Sequence, residues 1–276
     1  AQMSIGEFSD ASQSLYKAVK LEPDSILYRA SFVEVELKLE RYSSALTLTD
    51  QLIADFPERA LPLALKAAAL NGLNRLQESA QQLQLAMKLE PDNRRYMLQL
   101  HETLKVAGNA KAAEKVLLAW LARHPEDELV NFAYADLLIS AGRWAEAEAV
   151  LAQMRGRVPD SPIVLNSLAH VSQQLGRSDA LDIARQAQSL APGIPEINDT
   201  LGWILVQQGR AEEGIPYLRQ AVARKTDDPV LRYHLAVALN KLGRNEQALL
   251  ELNRLLSGPG DFAERQQAIA LRDALQ

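Results

Sequence analysis

The chain has 276 residues, 47% of them hydrophobic but only 5% aromatic, with a formal net charge of −5 and a pI near 5.5. It contains no cysteine, which excludes disulfides, thiolate metal sites and cysteine catalysis. No basic stripe stands out, which argues against nucleic acid and anionic membranes as partners, and no apolar run approaches the roughly 18 residues that a membrane helix needs.

Alanine and leucine dominate and β-branched runs are few, so helices are expected throughout. No signal-peptide pattern is visible. Residues 1–25 read as the second half of a repeat: Gly6 at a turn, Phe8 and Ala11 in a helix, Pro23 at its end. The absent first helix suggests a piece of a longer protein. Full repeats follow at about 26–59, 60–93, 94–127, 128–161, 162–194, 195–228 and 229–260, each predicted to hold a helix A, a tight turn and a helix B. Ser257-Gly258-Pro259-Gly260 breaks the pattern, and Asp261 is placed to cap a polar last helix through about Leu275. The whole of 1–276 reads as one continuous array with no linker.

Three columns fix that register. Pro23, Pro57, Pro91, Pro125 and Pro159 are 34 residues apart and close each repeat, because proline lacks the N–H a helix would need. Asp24, Asp92 and Asp160 follow as expected caps of the next helix. Gly6, Glu40, Asn74, Gly108, Gly142, Gly176, Gly209 and Gly243 form the second column, between helices A and B, where a left-handed residue is expected. Asparagine tolerates that conformation and glutamate does so poorly. Ala11, Ala45, Ser79, Ala113, Ala147, Ala180, Gly214 and Ala248 are the third, marking the closest approach of paired helices.

These columns resemble the tetratricopeptide repeat (TPR). Repeat four shows Tyr134, Ala135, Leu138, Gly142, Ala147, Leu151 and Pro159; repeat six shows Asn198, Leu201, Gly202, Leu205, Gly209, Gly214, Leu218 and Ala221; repeat seven shows Leu235, Ala236, Leu239, Gly243, Ala248 and Leu252. Lys66, His101 and Thr226 depart from the pattern. The resemblance implies an all-α, right-handed superhelical solenoid. A narrower likeness lies in Asp199–Gly209, Arg232–Leu239 and Phe262–Arg265. These segments are similar to bacterial TPR lipoproteins of the PEP-CTERM/exosortase system and exopolysaccharide clusters. That likeness implies a periplasmic protein, anchored to the inner or outer membrane through an upstream lipid-bearing segment absent here; a cytoplasmic protein is the alternative.

In TPR arrays helix A lines the concave groove. Its second, fifth, ninth and twelfth positions are plain in the N-terminal repeats (Glu34, Ala64, Ala68, Arg95, Leu98, Glu102) and richer toward the C-terminus. The expected ligand-binding residues are Phe132, Asp136, Asn166, His170, Asp199, Trp203, Tyr233 and Asn240. Amides would bond a peptide backbone, rings would pack its side chains and acids would select basic residues; the same types could stack on a sugar. Phe132, Trp203 and Tyr233 have a second reading as packing residues, and Trp120 and Trp144 are read as packing. His170 with Asp136 could form a hydrogen-bonded pair; a metal site needs at least three ligands, and no third histidine is evident. Arg143, Arg177, Arg210 and Arg244 read as solvated. The lysine–asparagine carboxylate clamp of chaperone-binding arrays is missing, since Ala30, Glu34, Ala64, Ala68, Leu98 and Glu102 fill its columns.

The leading functional expectation is a noncatalytic scaffold holding a peptide or partner helix in the groove. The alternative is a regulatory region of a larger enzyme such as a glycosyltransferase, and a third reading is a homo-oligomer formed through the array ends. A glycan is a further candidate ligand. No glycine-rich phosphate loop, HExxH or Gly-x-Ser-x-Gly occurs, so no enzyme and no cofactor is expected.

Overall fold

The computed structural model describes residues 5–258 and 262–276, and among them finds sixteen α-helices and no strand. The chain divides into two compact units, Ala1–Val130 and Asn131–Gln276. The expected Asp261 cap lies outside the described residues.

The first unit opens with α1 (Ile5–Leu21). Three pairs follow: α2 (Ile26–Lys38) with α3 (Tyr42–Asp55), α4 (Ala60–Gly72) with α5 (Leu76–Leu89), and α6 (Arg94–Val106) with α7 (Ala110–Leu121). The unit boundary falls within α8 (Glu128–Ser140). The second unit continues with α9 (Trp144–Arg157), then α10 (Pro162–Gln174) with α11 (Ala180–Leu190), α12 (Pro195–Gln207) with α13 (Ala211–Arg224), and α14 (Pro229–Lys241) with α15 (Asn245–Leu256), and ends with α16 (Arg265–Leu275). Within the units the helices pack on their sequence neighbours from α1 to α7 and from α9 to α16. Helix A of one repeat also touches helix A of the next, as in α2 on α4, α10 on α12 and α12 on α14.

The turn column works through backbone geometry. Gly108, Gly142, Gly176, Gly209 and Gly243 all have positive φ, and so do the two residues that break the column, Glu40 (φ 56°) and Asn74 (φ 57°). At each turn the following residue donates its N–H to a carbonyl five residues back: Arg41 to Glu36, Arg75 to Leu70, Arg143 to Leu138, Arg210 to Leu205. This bond satisfies a carbonyl that the end of helix A would otherwise leave free. The arginines then turn to carboxylates. Arg75, Arg143 and Arg210 each grip the glutamate three residues on, Glu78, Glu146 and Glu213, through two N–H groups. Arg177 and Arg244 reach back to Glu148 and Glu212 on the preceding B helices. They are ion-paired rather than simply solvated, although such exposed pairs add little stability.

The expected caps sit one residue too early. Ser25, Asn93 and Ser161, not Asp24, Asp92 and Asp160, accept the first free N–H groups of α2, α6 and α10. A cap has to be the residue directly before the first helical one, and the aspartates fall in the turn that precedes it. Asp92 pairs instead with Arg123 and His124.

From Ala45 onward the small column is buried where α-helices of a pair meet. Ser79 Oγ donates to the Ala67 carbonyl at 2.9 Å. His101, which stands where a small residue is usual, is buried with Nδ1 3.1 Å from the Ala113 carbonyl, so its polar edge is satisfied. Lys66 pairs with Asp50 at 2.6 Å. The core of each unit is a run of leucine and alanine between helices; Leu138, Leu151, Leu165 and Leu201 are among the largest fully buried side chains of the second. Burying one leucine contributes about 1.5–3 kcal/mol, so the repeated columns supply most of the folding drive.

Candidate functional site

Three consecutive A helices of the second unit, α10, α12 and α14, bring His170, Asp199, Trp203 and His234 together. Residues one turn apart on a helix share a face, so Asn166 and His170 share a face of α10, and Asp199 and Trp203 a face of α12. From α14, His234 reaches into this group. Its Nδ1 lies 2.8 and 2.9 Å from the two oxygens of Asp199. Its ring lies flat on that of Trp203, with centroids 4.1 Å apart and planes 13° apart. Asp199 and His234 are largely withdrawn from solvent, their side chains 12% and 13% exposed.

His170 completes the cluster from the other side. Burial holds its imidazole below the ordinary value of 6.5; the nearby His234 pushes it further down and Asp199 partly opposes this. The ring also meets the edge of Trp144, 5.8 Å between centroids. Asn166 Oδ1 is buried without a hydrogen-bond partner. His234 Nε2 likewise makes no hydrogen bond to the described residues. Nδ1 is taken up by Asp199, which leaves Nε2 free for a ligand: it accepts in the neutral ring and donates in the imidazolium. The cluster therefore presents a buried acceptor without a donor, an unengaged ring nitrogen and an indole.

The expected binding residues separate into groups. Asn166, His170, Asp199 and Trp203 gather here. Asp136 is exposed on α8, and Phe132 packs against the core of the second unit. The expected partner of His170 was Asp136; no bond forms between them, and it is Asp199 that holds an imidazole, that of His234. Tyr233 turns toward the C-terminal core with Leu252, Leu255, Phe262 and Leu271. Its hydroxyl pKa is raised by burial and then by Glu264. Asn240 is half-buried further along α14. Trp120 is a packing residue, with its N–H donating to Asp127 at 2.9 Å.

His234 was not among the expected residues. It stands one position beyond the groove column that holds Tyr233, and a helical side chain leans toward its helix N-terminus. Contacts between these A helices run at a spacing of 35: Asp199 to His234, and the Val206 carbonyl to Lys241. An acid facing a histidine at that offset is the sequence signal that locates the pair.

This is an all-α helical-repeat protein, a class that presents helix faces to other proteins. Two tetratricopeptide repeat family models match it, over residues 151–263 and 119–171. Its repeats are tetratricopeptide repeats. It is 30% identical over 164 residues to TPR repeat-containing protein PA4667 of Pseudomonas aeruginosa, covering 56% of this chain and 27% of that protein. It is 30% identical over 168 residues to cellulose synthase operon protein C of Xanthomonas axonopodis pv. citri, covering 55% of this chain and 11% of that protein. The chain thus spans only a minor part of either relative's length. The crystal structure of yeast Tom70 shares the fold, with a TM-score of 0.68 at 15% identity over 98% of this chain and 59% of that one. No helix among the described residues is long and apolar enough to cross a membrane.

Proposed function

We propose that the chain is a noncatalytic protein-interaction scaffold, and that an extended segment of a partner protein docks on the A-helix face of α10, α12 and α14. One observation carries this reading: Asn166 Oδ1 is a buried acceptor without a donor on α10, and on α14 His234 leaves Nε2 unengaged on a ring stacked against Trp203. An unpaired buried acceptor costs about 1–3 kcal/mol, which a ligand N–H would recover. An extended polypeptide offers such N–H groups at regular spacing, and a side chain to lie on the indole.

The setting we propose is the Gram-negative envelope, on its periplasmic side, in assembly of an exopolysaccharide system. The similarity to cellulose synthase operon protein C of Xanthomonas supports that setting, and so does the local resemblance of Asp199–Gly209 to exopolysaccharide-associated lipoproteins. Membrane anchoring through an upstream segment belongs to the same proposal.

The test is a pull-down from Gram-negative envelope extract, comparing the chain with an Asn166→Ala/His170→Ala/Trp203→Ala variant whose helicity is verified by circular dichroism. A protein captured by the first and lost with the second supports this site. A protein captured equally by both places the site elsewhere, and a glycan captured in its place would replace the peptide reading.

A further inference from the structure

The N-terminal repeats reads as plain at the level of sequence, yet the first unit holds a second hollow on its own A-helix face. Ala64 and Ala68 of α4 stand where a groove could carry large side chains, and their small size leaves a space of about 480 Å³ between α2, α4 and α6. Leu61, Leu65 and Tyr96 make its walls apolar. Arg95 and Gln99, one turn apart on α6, form one rim. The same two residues also edge a neighbouring, more open hollow of about 940 Å³, whose apolar surface includes Leu98 and Leu129. Arg95 and Gln99 therefore edge both spaces.

The polar groups on this rim are unfinished. Gln99 Oε1 is buried and has no hydrogen-bond partner. Arg95 makes no ion pair with the described residues, whereas its neighbour Arg94 is taken up by Asp127. Across the hollow, Glu34 and Lys38 lie one turn apart on α2, so their charges offset each other and Arg95 is left as the net charge of the site. In the adjoining hollow, Asp92 is occupied by Arg123 and Glu102 by Lys105, while Glu90 accepts from the Asn93 side-chain amide.

We infer that this hollow binds an extended polypeptide segment in which an apolar residue lies next to an acidic one: the apolar side chain fills the space over Ala64 and Ala68, the carboxylate pairs with Arg95, and a backbone N–H of the segment donates to Gln99 Oε1. A guanidinium presents a planar pair of donors suited to a carboxylate, and burial of one apolar side chain in a preformed pocket supplies the remaining affinity. The site uses none of the residues of the second unit, so it stands or falls apart from the function proposed above.

The experiment is a selection of displayed random twelve-residue peptides on the full chain, with counter-selection on two variants. Ala68→Leu fills the hollow from a half-buried position, and Arg95→Glu reverses an exposed charge; neither removes a core side chain, and circular dichroism verifies both. The expected winners carry Asp or Glu within two positions of a large apolar residue. A synthetic winner should bind each variant about tenfold or more weakly, as the loss of one charge-assisted contact or of one filled pocket implies. Arg95→Glu should in addition come to prefer basic peptides. Winners without an acidic residue, affinity unchanged by both substitutions, or no enrichment at all would overturn the inference. Because Asn166, His170 and Trp203 are untouched, none of these outcomes bears on the C-terminal site.

Discussion

The imidazole of His234 lies flat on the indole of Trp203, 4.1 Å from centroid to centroid, while its Nδ1 is held by both oxygens of Asp199 at 2.8 and 2.9 Å. One side chain on α14 is thus fixed in position by two residues that share a face of α12. Rotation of the ring would cost the stack or the hydrogen bond. The cluster is rigid before any ligand arrives, which lowers the ordering cost of binding.

This coupling is measurable. Asp199→Asn and His234→Gln, alone and together, form a double-mutant cycle. Because both side chains are about seven-eighths covered, solvent screening is weak, and a coupling of about 1–3 kcal/mol is expected from urea unfolding. A coupling near zero would mean that the hydrogen bond adds nothing to the stacking and burial already present.

His170 sets a pH dependence of definite sign. Its folded-state pKa lies below 6.5 because burial penalises the imidazolium. The unfolded chain then binds the proton more readily, so protonation favours unfolding. The contribution is intact above about pH 6.5 and is lost as the pH falls from there toward the folded value. His170→Gln should therefore gain in Tm relative to the parent as buffers are taken from pH 7.5 to 5. A gap between the two proteins that stays constant across that range would contradict the assignment.

Glu40 carries a cost that glycine would remove. It sits at φ 56° in a column whose other members include five glycines with positive φ. A non-glycine residue in the left-handed region is strained by roughly 1–2 kcal/mol. Glu40→Gly, in an exposed turn, is expected to stabilise the chain by about 1 kcal/mol, and Asn74→Gly by less, since asparagine suits that conformation better. Chemical denaturation of the two variants ranks them directly; equal shifts would argue against backbone strain as the cause.

The same column explains what was legible in the sequence. Where the backbone alone dictates the residue type, as at the left-handed turns and at the helix contacts of Ala45, Ala113 and Ala147, a 34-residue period makes the requirement visible, even at Glu40 where the residue is wrong for it. Capping was misread by one residue because aspartate and the serine or asparagine after it are both good acceptors, and only the helix start decides between them. The His234–Asp199 pair was hidden for a different reason. It depends on two side chains meeting across repeats at an offset of 35, which no single column records. The hollow of the first unit was hidden because it is made by what Ala64 and Ala68 lack.

Two helical glycines test how close the helix pairs really come. Gly214 of α13 faces Gly202 of α12, and a Cβ added at Gly214 would lie 2.6 Å from the Gly202 carbonyl oxygen. That atom belongs to the backbone, so no side-chain rotation can make room and the helices must part. Alanine would gain about 1 kcal/mol of helix propensity but meet an overpacking cost of about 1–3 kcal/mol or more, so Gly214→Ala should be destabilising on balance. Gly156 of α9 provides the contrast: a Cβ there meets nothing within 4 Å. Gly156→Ala should therefore stabilise by about 0.5–1 kcal/mol through the unfolded state alone. Urea unfolding of the two variants should move in opposite directions. If both stabilised, α12 and α13 would have to yield at their crossing more easily than a backbone-to-backbone contact allows.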